Sequence, residues 1–156
     1  MAERAPIPRS EMMSRISSRN TKPEMVVRRG LHARGYRYRL HVRGLPGSPD
    51  ILLPRHSAVV LVHGCFWHGH EGCKNFRFPK SNSEFWKDKL MRNIERDQEQ
   101  IQKLNISGWR VLVVWECATR GEPTKKLIEA IEAWLHGGQA VGQISANQED
   151  SGNHEN

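Results

Sequence analysis

Apolar positions recur along this chain with two different periods, and the switches between them lay out its elements. Thr21, Lys22, Pro23 and Glu24 have the form of a capping box with proline in the first turn. Val27 and Leu31 then mark an apolar stripe at helical spacing until Gly35, so a helix is expected over 21–35. Residues 36–41 alternate aromatic, basic and aliphatic side chains as a half-buried strand does, and the Gly- and Pro-rich stretch 44–49 reads as a turn. Two short apolar runs, 51–53 and 58–62, are joined through Pro54, Arg55 and His56. They predict a buried hairpin whose second strand delivers His63 close to Asp50, the residue that follows the turn.

Residues 64–82 break this periodicity and hold two cysteines, two histidines and three phenylalanines. An irregular stretch of that length inside a compact domain calls for a staple or a function of its own. A second capping signature, Ser81-Asn82-Ser83-Glu84, opens a long helix with Trp86, Leu90, Ile94, Ile101 and Leu104 on one face, closed by Gly108. Residues 109–115 carry the strongest strand signal, and a strand that arrives after a crossover helix is expected to lie parallel to its predecessor. A last helix over 123–135 ends at Gly137 and Gly138. The predicted order is αβββαβα, an α/β domain over 21–136 with an N-terminal arm, 1–20, and a disordered tail, 137–156.

Charge changes the picture by adding a partner. The net charge is +7, and Arg4, Arg9, Arg15, Arg19, Lys22, Arg28, Arg29, Arg34, Arg37, Arg39 and Arg43 crowd the first third, whereas no Lys or Arg follows Lys126. A basic stretch is often only a solvated face. One this one-sided points to a polyanion such as DNA or RNA. No run approaches the roughly 18 apolar residues of a membrane span, and the N-terminus lacks a signal-peptide core, so a cytoplasmic protein is expected. Thiols stay reduced there, which makes Cys65, Cys73 and Cys117 metal ligands or buried thiols rather than disulfides.

Cys65, His70 and Cys73 are spaced C-x4-H-x2-C, and Cys117, just past the end of the 109–115 strand, can return to complete a Cys3His set. Such a set suits structural Zn2+, with no coordination position left open. Coordination would offset the conformational entropy of a loop too polar to order itself. His68 is the alternative fourth ligand; plain buried thiols are the competing reading.

Phosphodiester cleavage requires charge stabilisation at the phosphate, an activated water and assistance to the leaving oxygen. Asp50 is the candidate carboxylate for Mg2+, and Glu24 is a second acidic candidate that can equally be just the capping-box residue. His63 and His68 are candidate general acid or base groups, since an unperturbed imidazole titrates near about 6.5. Phe66 and Trp67, adjacent large aromatics in a polar loop, suit insertion between bases.

The runs VHGCFWHGHEGC, PGSPD, RNTKPE, EFW with NIERD, and GWRVLVVWEC together resemble the very-short-patch repair (Vsr) endonuclease family over about residues 9–136. The resemblance implies a restriction-endonuclease-like mixed sheet flanked by helices, related to the PD-(D/E)XK fold. It also implies a monomeric nicking enzyme, nucleoid-associated in a prokaryote, that cuts 5′ to the thymine of a T:G mismatch left by deamination of 5-methylcytosine. Double-stranded DNA with that mismatch is the implied partner, with mismatch-repair factors as further candidates.

By the same resemblance Asp50 binds Mg2+ with the main-chain carbonyl of Val62, where the family often has threonine, and Glu24, His63 and His68 are catalytic, His68 as the base. Cys65, His70, Cys73 and Cys117 match the structural zinc ligands, although the segment between His68 and Cys73 is one residue longer than a histidine-rich version of the motif. Phe66, Trp67 and Trp86 match aromatics that engage DNA, and Met13 matches a residue that enters from the minor-groove side. Two other functions compete: a restriction-type endonuclease of the same fold that cuts unmismatched duplex, and a non-catalytic zinc-stabilised DNA-binding protein.

Overall fold

The computed structural model describes residues 20–70, 72, 73, 76, 77, 79–120 and 124–146. Met13 and nearly all of the N-terminal arm lie outside them.

Helix α1, Lys22–Ala33, starts as the sequence indicates: the Thr21 hydroxyl accepts the Glu24 N–H at 3.3 Å. It ends in a Schellman turn, with the Tyr36 N–H on the Leu31 carbonyl, the Gly35 N–H on the His32 carbonyl, and Gly35 at φ +86°. The predicted strand over 36–41 contracts to β1, Arg39–Leu40. It pairs antiparallel with β2, Ile51–Leu53, which pairs antiparallel with β3, Ala58–His63, across a single 3-10 turn, Pro54–His56.

The crossover helix α2, Ser83–Ile106, returns the chain to β4, Arg110–Trp115, parallel to β3 as expected, with His63 opposite Trp115. Helix α3, Thr124–Leu135, leads to β5, Val141–Ile144, parallel to β4. The five-stranded sheet runs β1-β2-β3-β4-β5.

β5 corrects the expectation of a disordered tail from residue 137. Of its four residues only Ile144 is buried, so hydropathy carries no strand signal. The backbone ladder to β4 and the Val111 N–H on the Ala140 carbonyl hold the segment in place.

Alternating residues of β2, β3 and β4 feed two cores. Ile51, Leu53, Val60, Leu112 and Val114 pack under α1 and α3; Leu52, Val59, Leu61, Val111 and Val113 pack under Leu104 of α2. Burial on both faces explains why these strands read as continuous apolar runs. Leu112 is fully buried at the centre, so Leu112→Ala is expected to cost about 2–5 kcal/mol, read as a lowered urea midpoint with an unchanged slope. Among the described residues no helix is long and apolar enough to cross a membrane.

Candidate active site and metal-binding loop

The start of β2 lies beside the end of β3, and that adjacency builds the first part of the site. Asp50, just before β2, accepts the Val62 N–H through Oδ2 at 2.8 Å, which places its carboxylate at the C-terminal end of β3 as the hairpin pattern predicts. Burial raises the Asp50 carboxyl to about 6, the Val62 hydrogen bond opposes this, and the nearby Glu24 charge adds to it. Glu24 itself is buried, and its carboxylate is fully engaged. It accepts from the Asn20 N–H at 3.2 Å, from Arg28 at 3.0 Å, and pairs with His41 Nε2 at 3.0 Å. Glu24, His41 and Asp50 bring ligand atoms within 4.8 Å of one another. A carboxylate forced to share a desolvated corner with a second carboxylate is a fit for a hard cation.

The cost of that arrangement has a sign. Asp50 is raised in the fold, so its favourable contribution is complete at low pH, below the ordinary carboxylate range, and is lost as pH rises through about 6. Asp50→Asn is therefore expected to stabilise the metal-free protein at pH 7.5, by up to about 3 kcal/mol, and to have little effect near pH 4. Thermal unfolding at the two pH values in chelator checks this.

His63 is the last residue of β3, and His68 lies five residues on; their rings stack in parallel at 3.9 Å and 3°. Burial, reinforced by the neighbouring His68, lowers His63 to about 3, so it is neutral at physiological pH. His68 Nδ1 meets Asp97 Oδ2 of α2 at 2.6 Å, which leaves Nε2 as the free ring nitrogen of this pair.

The loop between β3 and α2 winds on itself, with the His68 N–H on the Gly64 carbonyl and the His70 N–H on the Cys65 carbonyl. Gly69, at φ +60°, turns the chain between the two histidines, and a Cβ there would lie 2.8 Å from Ile94 Cδ1. His68 thereby pairs with Asp97 beside His63 while His70 joins the cysteines.

Cys65, His70, Cys73 and Cys117 place one ligand atom each within 4.8 Å of the others. A tetrahedron of sulfurs about 2.3 Å from a central ion has edges of about 3.8 Å, so the cluster is close to the size a single ion needs. Burial pushes the Cys65 thiol up to about 12 and raises Cys117, and it lowers His70. A neutral His70 is ready to ligate, and a cation would reverse the penalty on the thiolates. The Cys65 N–H on Glu116 Oε1 at 3.3 Å ties the loop to the end of β4.

On the outer side of the loop Phe66, Trp67 and Trp86 gather, with ring centroids 5.2 Å (Phe66 to Trp67), 5.6 Å (Phe66 to Trp86) and 5.9 Å (Trp67 to Trp86) apart. Lys89 Nζ sits 5.7 Å from the Trp67 ring, and Asn93 donates to the Trp67 carbonyl at 3.0 Å.

Of the residues singled out from sequence, all but Met13 fall in these three adjoining groups. Three that sequence reasoning did not assign join them. Asp97 orients His68, and it had a signal: at helical spacing from Ile94 and Ile101, it is a carboxylate on the apolar stripe of α2. His41 reaches Glu24 from a left-handed backbone position, φ +49°, that no pattern announced. Trp115 touches both His63 and His70.

A family model described as DNA mismatch endonuclease Vsr matches residues 3–75. The DNA mismatch endonuclease Vsr of Escherichia coli is 40% identical over 139 residues, 87% of this chain and 88% of that protein. Type II nicking enzyme V.XorIIP of Xanthomonas oryzae pv. oryzae is 49% identical over 113 residues, 72% of this chain and 82% of the relative. Type II nicking enzyme V.NmeAIP of Neisseria meningitidis is 44% identical over 114 residues, 73% and 81% respectively. Fold, site and relatives together define a DNA-cleaving hydrolase. Within that class the chain belongs to the Vsr endonuclease family.

Proposed function

We propose that the protein is a Mg2+-dependent mismatch endonuclease that nicks one strand of duplex DNA 5′ to the thymine of a T:G pair and so starts very-short-patch repair. The reading is carried by Asp50 at the end of β3, close enough to feel the charge of His68, together with the His68–Asp97 pair, with Phe66 and Trp67 on the same loop as His68 and Trp86 against them from α2. Binding alone requires no desolvated carboxylate beside an oriented imidazole.

Asp50 and the main-chain carbonyl of Val62 would hold Mg2+, which supplies positive charge to the phosphate as the transition state forms. Asp97 accepts the Nδ1 proton of His68, so Nε2 is free to take a proton from the attacking water. Neutral His63 backs one face of His68 and limits its rotation. Glu24, held by Asn20, Arg28 and His41, keeps a second negative charge beside Asp50 and favours cation capture there.

Cys65, His70, Cys73 and Cys117 would hold a structural Zn2+ that fixes the loop; with four protein ligands it has no position for a substrate water. Phe66, Trp67 and Trp86 pry the mismatched pair apart from one side, and Met13 enters from the minor groove. The basic arm, 1–20, contacts phosphates, so binding weakens steeply with salt. The setting is the cytoplasm, on nucleoid DNA, and the enzyme acts as a monomer.

An end-labelled duplex with a single T:G pair tests this. One nick, on the thymine strand and on its 5′ side, appearing with Mg2+ and absent with Asp50→Ala, is expected. Tight mismatch binding with no cut in Mg2+ or any other divalent ion would support a non-catalytic binding protein instead.

A further inference from the structure

Four aromatic rings run in an unbroken series from the metal-binding loop to the catalytic corner. His70 stacks flat on Trp115 at 4.0 Å and 4°; Trp115 meets His63 edge-on at 5.4 Å and 76°; His63 stacks on His68 at 3.9 Å. The series ends at Asp97, 2.6 Å from His68. Trp115 is the second of the four, and it faces His63 because the two occupy opposite positions at the ends of parallel β3 and β4.

What sets the angle of Trp115 comes from the far end of the chain. Its indole N–H donates to Gln143 Oε1 of β5 at 3.0 Å. Three residues on, the Ala146 N–H donates to Cys117 Sγ at 3.4 Å, a contact that favours the thiolate a metal requires. The segment expected from hydropathy to be a tail thus grips β4 on both sides of its end.

We propose that Trp115 is a positioning residue: it registers the metal-binding loop against the His63–His68 pair, and β5, through Gln143, sets its orientation. The inference rests on the proposed nicking activity and the proposed Zn2+ for part of its readout. Parallel ring stacks are held by dispersion and quadrupole contacts alone, which leave rings free to slide unless a neighbour blocks them. Trp115 is that neighbour for His63, and a metal on His70 would brace Trp115 in turn. Small displacements of a general base have large consequences for rate.

The test uses the full-length, zinc-loaded chain with Gln143→Ala, Trp115→Phe and Trp115→Leu. Side-chain imidazole signals by nuclear magnetic resonance report the geometry without DNA. In Gln143→Ala, a change at a residue that bonds Trp115 rather than either imidazole, the His63 and His68 signals are expected to shift while those of His32 and His56 stay in place. Unmoved His63 and His68 signals overturn the proposal whether or not the chain nicks DNA.

With a T:G duplex, Trp115→Leu is expected to slow single-turnover nicking about 10- to 100-fold at unchanged duplex Kd and unchanged zinc content, and Trp115→Phe to recover most of the loss. Rate losses in the Leu and Phe variants alike that follow loss of zinc or of binding would also overturn it. A wild-type chain that fails to nick contradicts the proposed function instead, and the imidazole spectra then decide this inference alone.

Discussion

His68→Ala is expected to lower the single-turnover nicking rate by roughly a hundred- to ten-thousand-fold, the range over which a lost general base is felt, with duplex Kd within about twofold of wild type. The size of the effect follows from how little else can substitute. Asp97 is a carboxylate on α2, but at 2.6 Å its Oδ2 is occupied by His68 Nδ1. His63 is stacked rather than hydrogen-bonded to His68, and burial holds it down to about 3, which makes it a poor proton acceptor near neutrality. Asp97→Asn should fall between wild type and His68→Ala, because it leaves the imidazole present with its tautomer and orientation unfixed. Rapid quench at saturating enzyme separates rate from binding. A His68→Ala protein that nicks within tenfold of wild type contradicts the assignment of the base.

Cys117→Ser is expected to abolish stoichiometric zinc and to lower stability by about 3 kcal/mol or more, which for a domain of this size means a Tm lower by roughly 10 °C. Cys117 joins distant parts of the chain: it sits past β4, whereas Cys65, His70 and Cys73 sit on the loop after β3. Without it the Cys65 thiol is buried at a raised pKa with no cation to hold it. The damage should be local in kind even though it is large. The cysteine cluster packs apart from the two cores on the sheet faces, so far-UV circular dichroism is expected to stay near wild type while the 64–73 loop becomes protease-sensitive. Metal analysis and calorimetry check both parts. A variant that keeps its zinc and its Tm would show that the cluster is a set of buried thiols.

The elements that were legible in the sequence are those whose cause is local or periodic. Thr21 and Gly35 mark the ends of α1 because capping and the left-handed turn are local chemistry. The 109–115 run marks β4 because both of its faces are buried. The second capping signature misleads: Asn82 takes the N-cap position at φ +54°, and its side chain makes no capping bond, so Ser81 and Glu84 do not form the reciprocal pair. β5 was illegible because it is stabilised by its ladder and by one buried side chain, Ile144.

The site divides in the same way. Cys65, His70, Cys73 and Cys117 could be grouped from spacing, and the structure places His70, rather than His68, with the cysteines because Gly69 turns the chain between them. Asp50 and the end of β3 could be brought together from the hairpin alone. Asp97 and Trp115 required the sheet: one reaches the site from a crossover helix and the other from a parallel neighbour, and neither adjacency exists in a linear reading.

Mismatch-directed nicking is measured most directly by the ratio of single-turnover nicking rates for two duplexes of identical flanking sequence, one with a T:G pair and one with C:G, in Mg2+ at saturating enzyme. Nicking of the thymine strand at T:G, with the C:G duplex cut at least about a hundredfold more slowly, is the predicted result. Equal cutting of both duplexes, or cutting of both strands of C:G, would contradict mismatch-directed nicking and make this chain a restriction-type endonuclease.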